Sequence, residues 1–291
     1  MDQAQQLRNV IKKQNQRIVR NSARVITVTS GKGGVGKSNV AVNLAIQFRK
    51  MGKKVLIFDA DFGLANVEVM FGAIPKYNLS DLIYRDKEIS EIITEGPLEI
   101  GFISGGSGIL GLNNLTKEQV IYLVKCIDEL GSMADVIIVD TGAGISDSVL
   151  EFVMASPEVL LVTTPDPSSL TDSYSLLKAL YYNPEFDKLK SKIYVLSNRV
   201  SSTSEGRAVF DKLDSVVKQF LEGSIQYIGM IPQDNALEKA VRQQKPVSLS
   251  HPNAKSTSAF EALAETMMNN EEETLHSKWR ITRILDKLIN R

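Results

Sequence analysis

Only one cysteine, Cys126, and two histidines, His251 and His276, occur in 291 residues. A lone thiol closes no intramolecular disulfide, which argues against a secreted, cystine-stapled scaffold. Cys126 falls in the apolar helical stretch Val120–Leu130 and reads as a small core residue. The histidines lie far apart without ligand-spaced companions, so no metal site is assigned to them. An iron–sulfur centre shared by two copies would need several cysteines, and the count excludes it. Charge of neither sign is in excess: 34 Lys and Arg balance 34 Asp and Glu. That balance argues against wholesale or sequence-specific nucleic-acid binding. No apolar run is long enough to span a bilayer. After Met1 the chain opens Asp-Gln-Ala-Gln-Gln, without the apolar core of a secretory signal. The expectation is a protein made and kept in the cytoplasm.

What is present is a large apolar fraction, 43%, enough for one sizeable α/β core. Compact β-branched runs recur at Val25–Thr29, Val55–Phe58, Val136–Val139, Val159–Thr163, Ile193–Leu196 and Tyr227–Ile231. Helical patterns lie between them: one ending near Gly52, then Lys117–Leu130, Ser168–Tyr182 and Glu205–Leu221. A last one follows Ala254 and runs to about Met268. Strands that are apolar on both faces and alternate with helices predict a mostly parallel sheet covered on both sides. The Gly-rich run Ser104–Gly108 reads as a strand-end loop, because no Lys-Ser pair closes it.

The chemistry concentrates after the first strand. Gly31-Lys32-Gly33-Gly34-Val35-Gly36-Lys37-Ser38, followed by Asn39, satisfies G-x-x-x-x-G-K-[ST] between a strand and a helix. Glycines let backbone N–H groups turn inward around phosphate oxygens, and the helix presents its positive end to the same anion. Lys37 is expected to reach the β- and γ-phosphates, and Ser38 to ligate Mg²⁺. The strand Val136–Val139 ends in Asp140, placed for the Mg²⁺-side carboxylate. Gly142-Ala143-Gly144 then supplies a yielding backbone suited to a switch. The base is expected to be adenine. Guanine readers use Asn-Lys-x-Asp, and here Asn198-Arg199-Val200-Ser201 puts a neutral serine where the carboxylate would be.

The run Lys32–Ser38 resembles the deviant phosphate loop of the MinD/ParA ATPase family, a SIMIBI-class P-loop fold. Asp59-Ala60-Asp61-Phe62-Gly63-Leu64-Ala65-Asn66 and Asp140-Thr141-Gly142-Ala143-Gly144 continue the likeness. The resemblance implies a Mg²⁺-dependent ATPase activated by dimerisation. It implies that Lys32 crosses to the partner's phosphates, that Asp61 orients the attacking water, and that Asp59 sits at the Mg²⁺. It places Asn198, Arg199, Pro232 and Asp234 on the adenine side. The Thr141-Gly142 pair departs from MinD, which has Ser-Pro there.

The ends carry two further signals. Ile281, Ile284, Leu285, Leu288 and Ile289 form one apolar stripe opposite Arg280, Arg283, Lys287 and Arg291, with Trp279 near the start. After the polar linker Asn269–Glu273 this reads as an in-plane helix for anionic lipid. Asp2, Gln3, Ala4, Leu7 and Arg8 resemble the D-Q-A-x-x-L-R segment of the FlhG branch (also YlxH or FleN), which controls flagellar number and placement. That likeness implies stimulation of an FlhF-type SRP GTPase, possible contact with flagellar C-ring components, and a peripheral place on the inner face of the cell membrane. The resulting division is residues 1–21 for the partner, 22–270 for the ATPase and 271–291 for linker and lipid. The competing expectations are a ParA-type DNA-partitioning ATPase and another MinD-like regulator such as a division-site selector.

Overall fold

The computed structural model describes residues 23–61, 66–85, 87–106, 130–188 and 191–270. The readings of Asp2–Arg8, Cys126, most of Lys117–Leu130, and Trp279–Ile289 lie outside the described residues, as do Phe62–Ala65.

All six strands expected from β-branched runs form. β1 (Arg24–Thr29), β2 (Val55–Ala60), β5 (Val136–Thr141), β6 (Glu158–Thr163), β7 (Lys192–Val200) and β8 (Gln226–Pro232) join two shorter ones, β3 (Thr94–Glu95) and β4 (Gly101–Ile103). They make an eight-stranded sheet in the order β3-β4-β2-β5-β1-β6-β7-β8. Every pairing is parallel except β3 with β4, which is antiparallel at the edge.

Alternate residues of the central strands serve opposite faces. Ile26, Ile138 and Leu160 pack with α1 (Lys37–Lys50) and α10 (Lys255–Asn269) on one side. Val25, Ile137 and Val139 face the other side, with Phe152 and Ala155 of α5 (Asp147–Ala155). Val159, Leu161 and Val195 meet α6 (Pro167–Tyr182) and α7 (Thr203–Leu221) there. Both faces are therefore buried, as apolar parallel strands require. Among the described residues, smaller helices are α2 (Asn66–Phe71), α3 (Leu79–Tyr84), α4 (Ile89–Ile92), α8 (Asn235–Arg242) and α9 (Val247–Ser250). Among the described residues no helix is long and apolar enough to cross a membrane.

The order of strands fixes where a ligand fits. From β1 the chain moves outward to β2, and from β5 it returns past β1 to β6. The connections thus diverge on either side of β1, opening a crevice at its carboxyl end. The phosphate loop occupies that end.

At the opposite end, Arg24 grips Glu158 across β1 and β6 through two parallel bonds, Nε–Oε1 at 2.7 Å and Nη2–Oε2 at 2.6 Å. Both side chains are buried, and Met268 of α10 lies against Arg24 Nη1 at 3.8 Å. Removing one member leaves the other charge buried and unpaired. Glu158→Ala is expected to cost about 3–5 kcal/mol of stability, measured by urea denaturation. A loss below about 1 kcal/mol would mean that the pair is solvated.

Candidate functional site

The turn after β1 is built by close approach as much as by flexibility. Gly34 and Gly36 have φ of 76° and 95°, in the left-handed region that glycine tolerates. Gly36 caps α1, whose first turn holds no acidic side chain, so an anion there would meet its N–H groups without competition. Gly31 needs to be glycine for another reason. A β-carbon there would lie 2.1 Å from the Asp172 carbonyl carbon in α6, so the loop rests directly on that helix backbone.

Lys37 is buried, and its Nζ lies 3.7 Å from Asp140 Oδ1. Ser38 and Asn39 follow on the first turn of α1, half-buried. Asp140 is fully buried, yet neither of its carboxylate oxygens accepts a hydrogen bond of good geometry. Burial pushes its pKa up, against the opposing pull of Lys37 and Ser38. Next to it in the β2–β5 register stands Asp59, also buried. Asp59 accepts the N–H of Asp61 at 3.1 Å and of Val67 at 3.3 Å. Its pKa is raised well above the ordinary carboxylate range, first by burial and then by the charge of Asp140.

Two neighbouring buried carboxylates, one without a hydrogen bond of good geometry, are a costly arrangement unless a cation neutralises them. Lys37 supplies one positive charge. Oxygen donors next to a phosphate loop suit Mg²⁺, a hard ion that favours carboxylate, hydroxyl and phosphate oxygens. The residues present fit the ion: Ser38 and Asp140 would hold it, with Asp59 behind them. Bound there, Mg²⁺ neutralises charge on the transferred phosphoryl group.

Asp61 stands at the edge of this group. Asn66 donates to its Oδ2 at 3.3 Å, and its Oδ1 lies 3.8 Å from where a β-carbon of Gly142 would be. The loop after β5 is pinned to the strand feeding the phosphate loop, since Gly144 N–H donates to Ser30 O at 2.9 Å. Asp61, Gly142 and Gly144 therefore converge beside Gly31–Ser38.

Lys32 lies apart from Lys37. Its side chain is 39% exposed, donates to Ser168 Oγ, and sits 3.8 Å from Asp166 Oδ2 at the start of α6. Those two holding residues were not singled out by sequence. The only signal was the Thr-Pro-Asp-Pro turn between β6 and α6, which has the form of an ordinary helix start.

The adenine-side candidates have prior engagements. Asn198 donates from Nδ2 to Val35 O at 2.7 Å and accepts the Arg199 N–H on Oδ1 at 2.9 Å. Arg199 is exposed, with φ of 56°, and forms a bulge opposite β8. Asp234 receives Ala236 N–H on Oδ1 at 2.8 Å, and Ser256 N–H and hydroxyl on Oδ2 at 2.9 and 2.8 Å. Burial pushes its pKa up, but those bonds outweigh it and the net shift is downward. Pro232 ends β8 half-buried between these two.

Asp140→Asn is expected to lower ATP turnover by about a hundredfold or more. It should also remove the EDTA-sensitive part of the ATP-induced rise in Tm. Retention of that part would place the ion elsewhere. Gly31→Ala should abolish ATP binding, read by titration of a fluorescent ATP analogue. Unchanged binding would mean that α6 can retreat without disturbing the loop.

Comparison with known proteins agrees with this geometry. The profile of the CobQ/CobB/MinD/ParA nucleotide binding domain matches residues 26–247. The chain is 41% identical to "Antiactivator FleN" of Pseudomonas aeruginosa, over 83% of this chain and 85% of that one. It is 36% identical to "Flagellum site-determining protein YlxH" of Helicobacter pylori, over 86% and 84%. Among solved structures, MinD of Pyrococcus horikoshii complexed with Mg-ADP superposes with a TM-score of 0.67. It is 25% identical and covers 87% of this chain and 98% of that one. The nucleotide is ATP with Mg²⁺, the activity is ATP hydrolysis, and the chain belongs to the CobQ/CobB/MinD/ParA family of nucleotide-binding proteins, in its FleN/YlxH-like branch.

Proposed function

We propose that this ATPase is a dimerising switch that sets flagellar number and placement, docked at the cell membrane in its ATP form. The observation that carries the reading is Lys32. It is a lysine of the phosphate loop, yet its amino group lies half-exposed on Ser168 and Asp166, outside the cradle that Lys37 occupies. Exposed contacts of that kind are weak. Moving Lys32 from them onto a second copy's phosphates costs little and adds a positive charge where negative charge develops, as an arginine finger does. The identity to FleN and YlxH supports the flagellar assignment.

In this reading Asp61 orients the attacking water beside Gly142, and hydrolysis ends the dimer. Residues 22–270 form the ATPase unit. Residues 271–291 bind anionic lipid through the stripe from Ile281 to Ile289, with Trp279 at the headgroups. A single helix binds reversibly, and two in a dimer bind far better. Residues 1–21, through Asp2, Gln3, Ala4, Leu7 and Arg8, stimulate an FlhF-type SRP GTPase, and flagellar C-ring components are further partners. The protein then divides its time between the cytoplasm and the inner face of the membrane.

Co-sedimentation with anionic vesicles tests this. The full chain should pellet mainly with ATP, and a truncation ending at Glu273 should stay in the supernatant with either nucleotide. Equal recovery of both chains would overturn the lipid role of the C-terminal segment. Salt-sensitive retention on DNA with no vesicle binding would favour the ParA-type reading instead.

A further inference from the structure

The engagements of Asn198 and Asp234 form one continuous path. It begins at the phosphate loop, where Asn198 Nδ2 donates to Val35 O. The contact is close enough that a β-carbon on Gly36 would lie 2.5 Å from that nitrogen. Asn198 Oδ1 accepts the N–H of Arg199, the bulged, left-handed residue of β7. A left-handed conformation is unfavourable for a non-glycine residue, so the bend is held by its surroundings. Past the bulge, Val200 O accepts the N–H of Gln233 at 2.9 Å, which carries the path to the loop after β8. The next residue, Asp234, caps two helices at once: Ala236 of α8 on one oxygen, Ser256 of α10 on the other.

The arrangement is unusual for a capping residue. An N-cap ordinarily serves the helix it precedes. Asp234 does that for α8 and also supplies an acceptor for α10, 22 residues further on. The residue before α10, Ala254, gives that helix no side-chain cap of its own. Beyond its first turn, α10 packs along α1, the helix that begins at Lys37, and buries Phe260, Leu263, Ala264 and Met267 in the same core. Its last turn reaches Arg24 through Met268. The loop after β8 is thus tied to the start of α10 by hydrogen bonds to a carboxylate, and α10 is packed along its length against α1.

We propose that Asp234 is a positioning residue that couples nucleotide occupancy to α10, making this helix the output element of the site. Both oxygens of Asp234 already accept bonds, Oδ1 from Ala236 and Oδ2 from Ser256, so the role assigned to it is to transmit rather than to read the base. The consequence follows from connectivity: α10 leads directly into residues 271–291. If those residues bind lipid, as the preceding reading holds, the relay sets when they do so. Control of lipid binding by the relay rests on the proposed function, and the coupling itself does not.

Hydrogen–deuterium exchange on the full-length protein, with and without Mg-ATP, tests the coupling without lipid. In the wild type, ATP should slow exchange in the phosphate loop and, by about fivefold, in the first turn of α10. Asp234→Asn keeps an acceptor for Ala236 and sets an amide donor against the Ser256 N–H. It should lose the response in α10, while Ser256→Ala, outside the nucleotide-side residues, carries the control of an unchanged phosphate-loop response. Ser256→Ala, a milder change that removes one of three bonds, should reduce the α10 response by about half, and it serves if the first variant does not fold. Three results would overturn the proposal. One is an α10 that ignores ATP in the wild type. Another is a response that survives both substitutions. The third is loss of ATP binding itself in Asp234→Asn, which would make Asp234 a base contact. Vesicle binding plays no part in these outcomes, so failure of the membrane reading leaves them readable.

Discussion

Two buried carboxylates on neighbouring strands, Asp59 and Asp140, are the constraint around which the site is arranged. Parallel pairing of β2 with β5 puts them in register, and burial makes their charge expensive. Lys37 comes within 3.7 Å, and the first turn of α1 keeps free of acids. Together these put two buried acids and one buried lysine beside the N-terminal turn of α1. A divalent ion and a polyphosphate would satisfy each other's charge there. The crevice needed for this follows from topology, since connections diverge from β1 at its carboxyl end.

Around that site the parts are joined by contacts rather than by proximity alone. Gly31 lies on the backbone of α6, Gly144 is bonded to Ser30, and Asn198 to Val35. Each contact links the phosphate loop to a different element: α6, the loop after β5, and the end of β7. A ligand that tightens the loop would be felt at all three, which is what the proposed switch requires.

Much of this was legible in the sequence because it rests on local rules. Six strands appear where β-branched runs stand, and the phosphate loop sits between β1 and α1 because its glycines and Lys-Ser pair leave few alternatives. Asp140 was readable as an acid closing an apolar strand. The short elements were not legible: α5 (Asp147–Ala155) follows a Gly-rich turn, and β3 is only two residues long, below what periodicity can resolve. Partnerships across the chain were hidden as well. Nothing local in Asp234 announces Ser256, and nothing in Lys32 announces Ser168. Such pairs depend on how strands are ordered, which a single sequence does not print.

The central claim is that ATP closes two copies of this chain around Lys32, and sedimentation velocity tests it most directly. With Mg²⁺ and a non-hydrolysable ATP analogue, the full chain should sediment as a dimer, and with Mg-ADP as a monomer. Adding Lys32→Ala should return the ATP form to monomer. A species of the same mass with both nucleotides, indifferent to Lys32, would contradict the account.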